Sequence, residues 1–148
     1  MTDKRHPVAS RQHRLGGRAV DLAMYSVTFG IGWLIWSLVV WGQGQTPGKQ
    51  IVKLRVYDKT TGKPAKWGHM AIREFLLPLS VIFILAIPAA VLSAIPNTAV
   101  QVISILLIYV GVIAAHLTDA LWIFKGEARN RLVDVICKTD VVNEADLI

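Results

Sequence analysis

Three long runs of this chain are almost without charge, and no other property of the sequence limits its fold as strongly. The first extends from Ala19 to Trp41 and contains only Asp21; the second, Phe75 to Ile95, has no charged residue; the third, Ala99 to Phe124, holds His116 and Asp119. Each is about 20 residues or longer, and at about 1.5 Å rise per residue such a run crosses a hydrocarbon core of about 30 Å as a helix. The composition agrees, since 53% of the 148 residues are hydrophobic and only 18% charged, against about 25% in soluble domains. A disordered chain is excluded, and nucleic acid is not an expected partner despite a net charge of +6. The first run is too long for a signal-peptide core and ends in Trp41-Gly42-Gln43 rather than at small residues, so it is expected to be retained.

Between the second and third runs lies only Pro96-Asn97-Thr98, a turn signal that predicts a tight transmembrane hairpin. Ala86 and Ala90 on one helix, with Gly111 and Ala115 on the other, would let the backbones approach closely. Pro88 is expected to kink its helix. Residues 42–74 differ in character. Gly42 to Gly48 is a turn-rich exit, Ile51 to Tyr57 alternates apolar and basic residues as an exposed strand does, and Asp58 to Gly62 reads as a turn. Trp67 to Arg73 reads as a short interfacial helix, with Trp67 at headgroup level.

Lysine and arginine report topology. Lys4, Arg5, Arg11, Arg14 and Arg18 precede the first run; Lys49, Lys53, Arg55, Lys59, Lys63, Lys66 and Arg73 lie between the first and second; Lys125, Arg129, Arg131 and Lys138 follow the third. The hairpin tip has none, so the middle loop and the C-terminal segment are expected in the cytoplasm. Two readings of the first run stay open. A single crossing leaves its basic N-terminal tail outside, whereas a break at Gly30-Ile31-Gly32 makes two short arms that dip in and return, with every basic residue inside.

Few residues suggest chemistry. Arg18 and Asp21 sit three apart and can pair on one helix face, anchoring the helix mouth or touching a ligand. His116 and Asp119 are also three apart, and ionisable groups within a span face a partner or a wet cavity. Asp21, His116 and Asp119 are therefore the candidate polar pathway, with a structural polar cluster as the competing reading. Cys137 is the single cysteine, and His6, His13, His69 and His116 form no metal-binding pattern, so no metal site is expected. Thr46-Pro47-Gly48-Lys49 lacks the spacing of a phosphate loop and precedes a predicted strand rather than a helix. No nucleophile has an orienting base, and neither enzymatic activity nor a cofactor is expected.

Several of these pieces together resemble the RDD family of bacterial membrane proteins. They are Arg18-Ala19-Val20-Asp21 at the start of the first run, Gly44-Gln45-Thr46-Pro47-Gly48-Lys49 before the basic alternating segment, Arg73 before the second run, and Leu132-Val133-Asp134 followed by Thr139-Asp140-Val141-Val142. The resemblance spans residues from about 14 to 142. It implies that the arginine and two aspartates for which the family is named are Arg18, Asp21 and Asp134. Val133 stands where many members have histidine, and the segment between Asp21 and Gly44 is shorter than is common, with room for one crossing or two short arms. The resemblance implies transport of unidentified ligands and no typical enzymatic activity.

The expectation is an all-α membrane protein of three hydrophobic helical segments, the second and third a hairpin, with a small basic cytoplasmic strand-turn loop. It divides into a basic tail (1–17), a membrane domain (18–142, with apolar segments 19–41, 75–95 and 99–124 and the basic loop 42–74) and an acidic tail (143–148). Such a chain belongs in the bacterial inner membrane as a multi-pass protein. It would transport a small solute or ion as a homo-oligomer, or serve as an accessory subunit of a larger membrane complex. Its basic loop would attract anionic headgroups of the bilayer at about 1 kcal/mol per residue near the surface.

Overall fold

The computed structural model of the protein describes residues 7–125 and 130–147; Lys4, Arg5, His6 and Arg129 lie outside the described residues. The first apolar run is not one helix. Helix α1 (Arg11–Val27) starts before the run, where the Ser10 hydroxyl accepts the His13 N–H at 3.2 Å and caps it. It stops at Phe29 and Gly30, whose φ angles of 51° and 78° take the chain into the left-handed region that a right-handed helix cannot continue through. Helix α2 (Ile31–Val40) then folds back on α1, with Tyr25 and Trp33 packed edge to face at 6.0 Å. At ten residues α2 is about 15 Å long, half the thickness of a hydrocarbon core. The buried face of α1 is polar or small, Arg14, Gly17 and Asp21, while Leu22, Tyr25 and Val27 are exposed.

After a tight turn at Trp41–Gln43 comes helix α3 (Pro47–Ile51), where a loop leading straight into a strand was expected. Thr46 supplies an N-cap, accepting the Lys49 N–H at 3.3 Å, and Pro47 takes the first helical position, for which its fixed φ suits it. Strand β1 (Leu54–Asp58) therefore begins three residues later than the alternation from Ile51 predicts. It is not solitary. It pairs antiparallel with strand β2 (Thr139–Asn143), Leu54 opposite Asn143 and Asp58 opposite Thr139. The all-α expectation is thus corrected to a mostly helical fold with a two-stranded sheet. Asp58 closes the expected turn, accepting the Thr60 N–H at 2.8 Å and the Thr61 hydroxyl at 2.9 Å.

The N-terminal segment also joins this sheet. Ala9 donates its N–H to Val141 O at 2.9 Å, and Val8 bridges to Val142. Ala9, Trp41, Leu54, Val56, Ala65, Met70 and Val141 form the hydrophobic core, which lies in this module and not between the long helices.

Helix α4 (Trp67–Ala71), a wide π turn at Ile72–Leu76 and helix α5 (Leu77–Ser93) run on continuously through Pro88, so the interfacial segment and the second run are one rod. Asn97 caps helix α6 (Thr98–Leu121), accepting the Ala99 N–H at 2.9 Å. The rods Trp67–Ser93 and Thr98–Phe124, 27 residues each, are long and apolar enough to cross a membrane. They meet along a seam that includes Ala89, Ser104 and Gly111; Ala90, expected there, is exposed. Their outer faces, among them Ile84, Ile87, Val91, Ile103, Leu107 and Val110, are bare. Helix α7 (Leu132–Ile136) follows and leads into β2.

A Cβ placed on Gly111 would sit 2.8 Å from Leu85 Cδ1. Gly111→Leu is expected to lower the stability of the α5–α6 hairpin by about 1–3 kcal/mol, as overpacking does, in reversible unfolding from detergent micelles. Ala90→Leu, on the bare face, should leave it unchanged.

Candidate functional site

Asp134 sits in the first turn of α7, where its Oδ2 accepts the Arg131 N–H at 3.0 Å. It is fully buried, and two guanidiniums meet it there. Arg14 of α1 donates to Oδ2, and Arg73 Nη2 lies 2.5 Å from Oδ1 as a charge contact without hydrogen-bond alignment. Glu74, the neighbour of Arg73 in the π turn, accepts from Lys49 Nζ at 2.9 Å and lies 3.3 Å from Arg73 Nε and 3.7 Å from Arg18 Nη1. Adjacent residues on an α-helix point about 100° apart, yet both of these side chains are buried against the module. A π turn is a known device for such local re-aiming. Asp119, near the end of α6, binds Arg131 Nη2 and accepts the Val133 N–H at 2.9 Å.

Burial alone would push the Asp134 carboxyl up, but Arg73, Arg14 and Arg131 together hold it below the usual carboxylate range. Burial pushes the Lys49 ammonium down, against the pull of Glu74.

Arg18 and Asp21, expected to pair, part company. Arg18 reaches towards Glu74, while Asp21 accepts the Thr46 hydroxyl at 2.6 Å, the Gly48 N–H at 2.8 Å and Trp33 Nε1–H at 2.8 Å. The docking of α3 decides this. A Cβ on Gly48 would lie 2.6 Å from Asp21 N and 2.7 Å from Asp21 Cγ, and would also strike the Gly17 carbonyl, so only glycine lets the loop come close enough to donate. The other motif residues divide the remaining work. Gly44 presents its carbonyl to Val56 N–H at 2.8 Å, Gln45 Nε2 donates to Leu54 O at 2.9 Å, Pro47 starts α3, and Lys49 reaches Glu74.

The charged cluster borders a cavity of about 380 Å³, within the range of small-ligand sites. Arg18, Arg73, Glu74, Asp119 and Arg131 line it together with the apolar Leu77, Pro78, Val81, Leu132 and Ile136 and the polar Ser80, His116 and Thr118. The three candidate pathway residues do not form a chain. His116 and Asp119 both border the cavity, but His116 Nδ1 contacts Val112 O of its own helix at 2.9 Å, and no hydrogen bond joins it to Asp119 among the described residues. Asp21 is buried beneath α3. Of the family-signature residues, Arg18 and Asp134 belong to the cluster and Asp21 touches it through Thr46 and Lys49. Arg14, Glu74 and Arg131 were not singled out from sequence; the paired charges Arg73-Glu74 at the mouth of an apolar run were the available signal. Among the described residues, no three His, Cys, Asp or Glu side chains gather as a metal site.

The family model described as the RDD family matches residues 10–138, from the cap of α1 to the edge of β2, and so takes in every member of the cluster. Comparisons with curated proteins and with solved structures give no match.

Asp134→Asn removes the buried carboxylate that Arg14 and Arg73 share and is expected to cost about 3–5 kcal/mol, read from unfolding in detergent. The folded Asp134 carboxyl titrates below its unfolded value of about 3.9, so its contribution is complete above that value and is lost as pH falls through the folded one. Unfolding curves should show little of this loss between about pH 5 and 8 and a steep one below about pH 4, and the acid slope should be shallower in the Asp134→Asn protein. Gly48→Ala is expected to release α3 from α1, seen as protease cleavage near residues 44–52 that the wild-type chain resists.

Proposed function

The chain belongs to the RDD family, and on that premise we propose that it is a multi-pass protein of the bacterial inner membrane whose cavity binds a small solute or ion for transport. The observation that carries the reading is the cavity itself: charged residues from α1, the π turn, α6 and the residues before α7 line it, at the base of the two rods that are long and apolar enough to span a bilayer. In this reading the first apolar run dips into the membrane and returns. Ala9 before the run and Thr46 after it both hydrogen-bond into the one module, to Val141 and Asp21, which supports that return. The basic residues described in that module then face the cytoplasm, and the Pro96-Asn97 tip lies outside.

Transport needs more than one copy. Between Ser80 and Ser93 helix α5 carries no polar side chain, so α5 and α6 alone cannot line a wet path. That same observation favours a second reading, an accessory subunit of a larger complex whose helices cover the bare faces of α5 and α6.

Two experiments test these readings. Cysteines placed at Ser10 and Ala145 should be labelled by an impermeant maleimide only after the cells are opened, and one at Asn97 in intact spheroplasts; an externally labelled Ser10 position would remove the re-entrant topology. Proteoliposomes should show a proton, sodium, potassium or phosphate flux that falls on Arg18→Gln. Absence of all four fluxes, with a second protein captured by cross-linking before native purification, would replace transport by the accessory role.

A further inference from the structure

We propose that the cavity takes an anionic amphiphile, an oxyanion headgroup bearing an acyl chain, with the headgroup on Arg18 and Arg131 and the chain along Leu77, Val81 and Ile136. This rests on the reading of the cavity as the binding site and specifies what it binds.

Charge comes first. Arg14, Lys49, Arg73 and Arg131 each meet a carboxylate closely, whereas Arg18 has only Glu74 at 3.7 Å, and Glu74 is already shared with Lys49 and Arg73. The Arg18 side chain is 39% exposed where its partner is 5%. The surplus positive charge of the cluster therefore lies on Arg18, at the cavity wall. Arg131 lines the same cavity, its Nη2 held on Asp119 and its side chain still 13% exposed. Two guanidiniums lining one cavity, Arg18 with open donors, suit a phosphate or carboxylate, whose oxygens accept from such forks. A cation would meet net repulsion.

The apolar part of the lining favours an anion that carries a hydrocarbon chain. Leu77, Pro78, Val81, Leu132 and Ile136 offer nothing to replace the water that a small oxyanion sheds on entering, whereas a hydrocarbon chain covers them favourably. Position agrees with chemistry. The cavity lies at the base of α5 and α6, where Trp122 carries Lys125 Nζ 4.1 Å from its ring centre, the pairing expected at headgroup level. A volume of about 380 Å³ holds a headgroup and the first methylenes; the rest of the chain lies along the bare face of α5.

The test uses the full-length protein, stripped of lipid in detergent and offered equal amounts of phosphatidylglycerol and phosphatidylcholine, with adducts counted by native mass spectrometry. Phosphatidylglycerol should be retained in preference. Arg18→Gln should weaken its retention about tenfold, the loss of one charge-assisted hydrogen bond. Lys125→Gln, which removes a cation outside the cavity, should not. Thr118→Trp, which fills the cavity from an exposed helix position, should abolish the preference with all cations intact. Equal retention of both lipids, or a preference that survives Arg18→Gln, overturns the inference. Isothermal titration with inorganic phosphate separates the two claims: Arg18-dependent phosphate binding without lipid preference leaves the cavity a binding site for a soluble oxyanion, and neither kind of binding removes both readings.

Discussion

A single carboxylate with no exposure ties this chain together. Asp134 receives Arg14 from the first helix and Arg73 from the foot of the first rod, while its own backbone leads into the sheet. Ionised groups are expensive to bury, and a buried pair repays the cost only when every partner is in place. Each element that carries a partner is thereby located. The helix α1 must lie against the base of the rods, the first apolar run must come back to where it began, and β2 must follow α7 at once. Arrangements that part α1 from Asp134 break the Arg14 pair and leave that carboxylate to Arg73 alone.

Around that carboxylate the usual order of a folded protein is divided in two. The long rods keep their apolar side chains outward, as a hydrocarbon solvent allows, and touch each other through small residues. The module at their base is built as a water-soluble domain is, with Leu54, Val56, Met70 and Val141 inside and the charges of β1 and β2 paired across its surface, as in Arg55 with Glu144 and Lys59 with Asp140. Helix α1 belongs to both halves, which explains its inverted pattern of Arg14, Gly17 and Asp21 inside and Leu22 and Tyr25 outside.

The two rods were legible in the sequence because absence of charge over more than twenty residues is a property no tertiary contact has to supply. The turn at Asp58 and the hairpin at Asn97 were legible for the same reason, since each closes on its own neighbours. What escaped depends on residues far apart in the chain. The three-residue spacing of Arg18 and Asp21 argues for a local pair, but α3 and its cap offer Asp21 two donors and Trp33 of α2 a third, which displace the neighbour. The short helix at Pro47 hid behind glycines and a proline that suggest only a turn, and β2 carries too few apolar residues to stand out until β1 is set beside it. The cluster hid because its acids and bases come from five separate segments, none of them distinctive alone.

The contact between Arg14 and Asp134 spans 120 positions of sequence, and this has a consequence for how the protein is made. A chain emerges from the ribosome with its early residues first. Asp21 on the polar face of α1 meets Trp33, Thr46 and Gly48 early, whereas Asp134 and Val141, which receive Arg14 and Ala9, are added much later. Until that segment appears, α1 has α3 docked against it but lacks the carboxylate and the strand that fix its start. Closure of the module thus waits for Asp134 and Val141, and a protein cut short before β2 would lack the strand that shuts it.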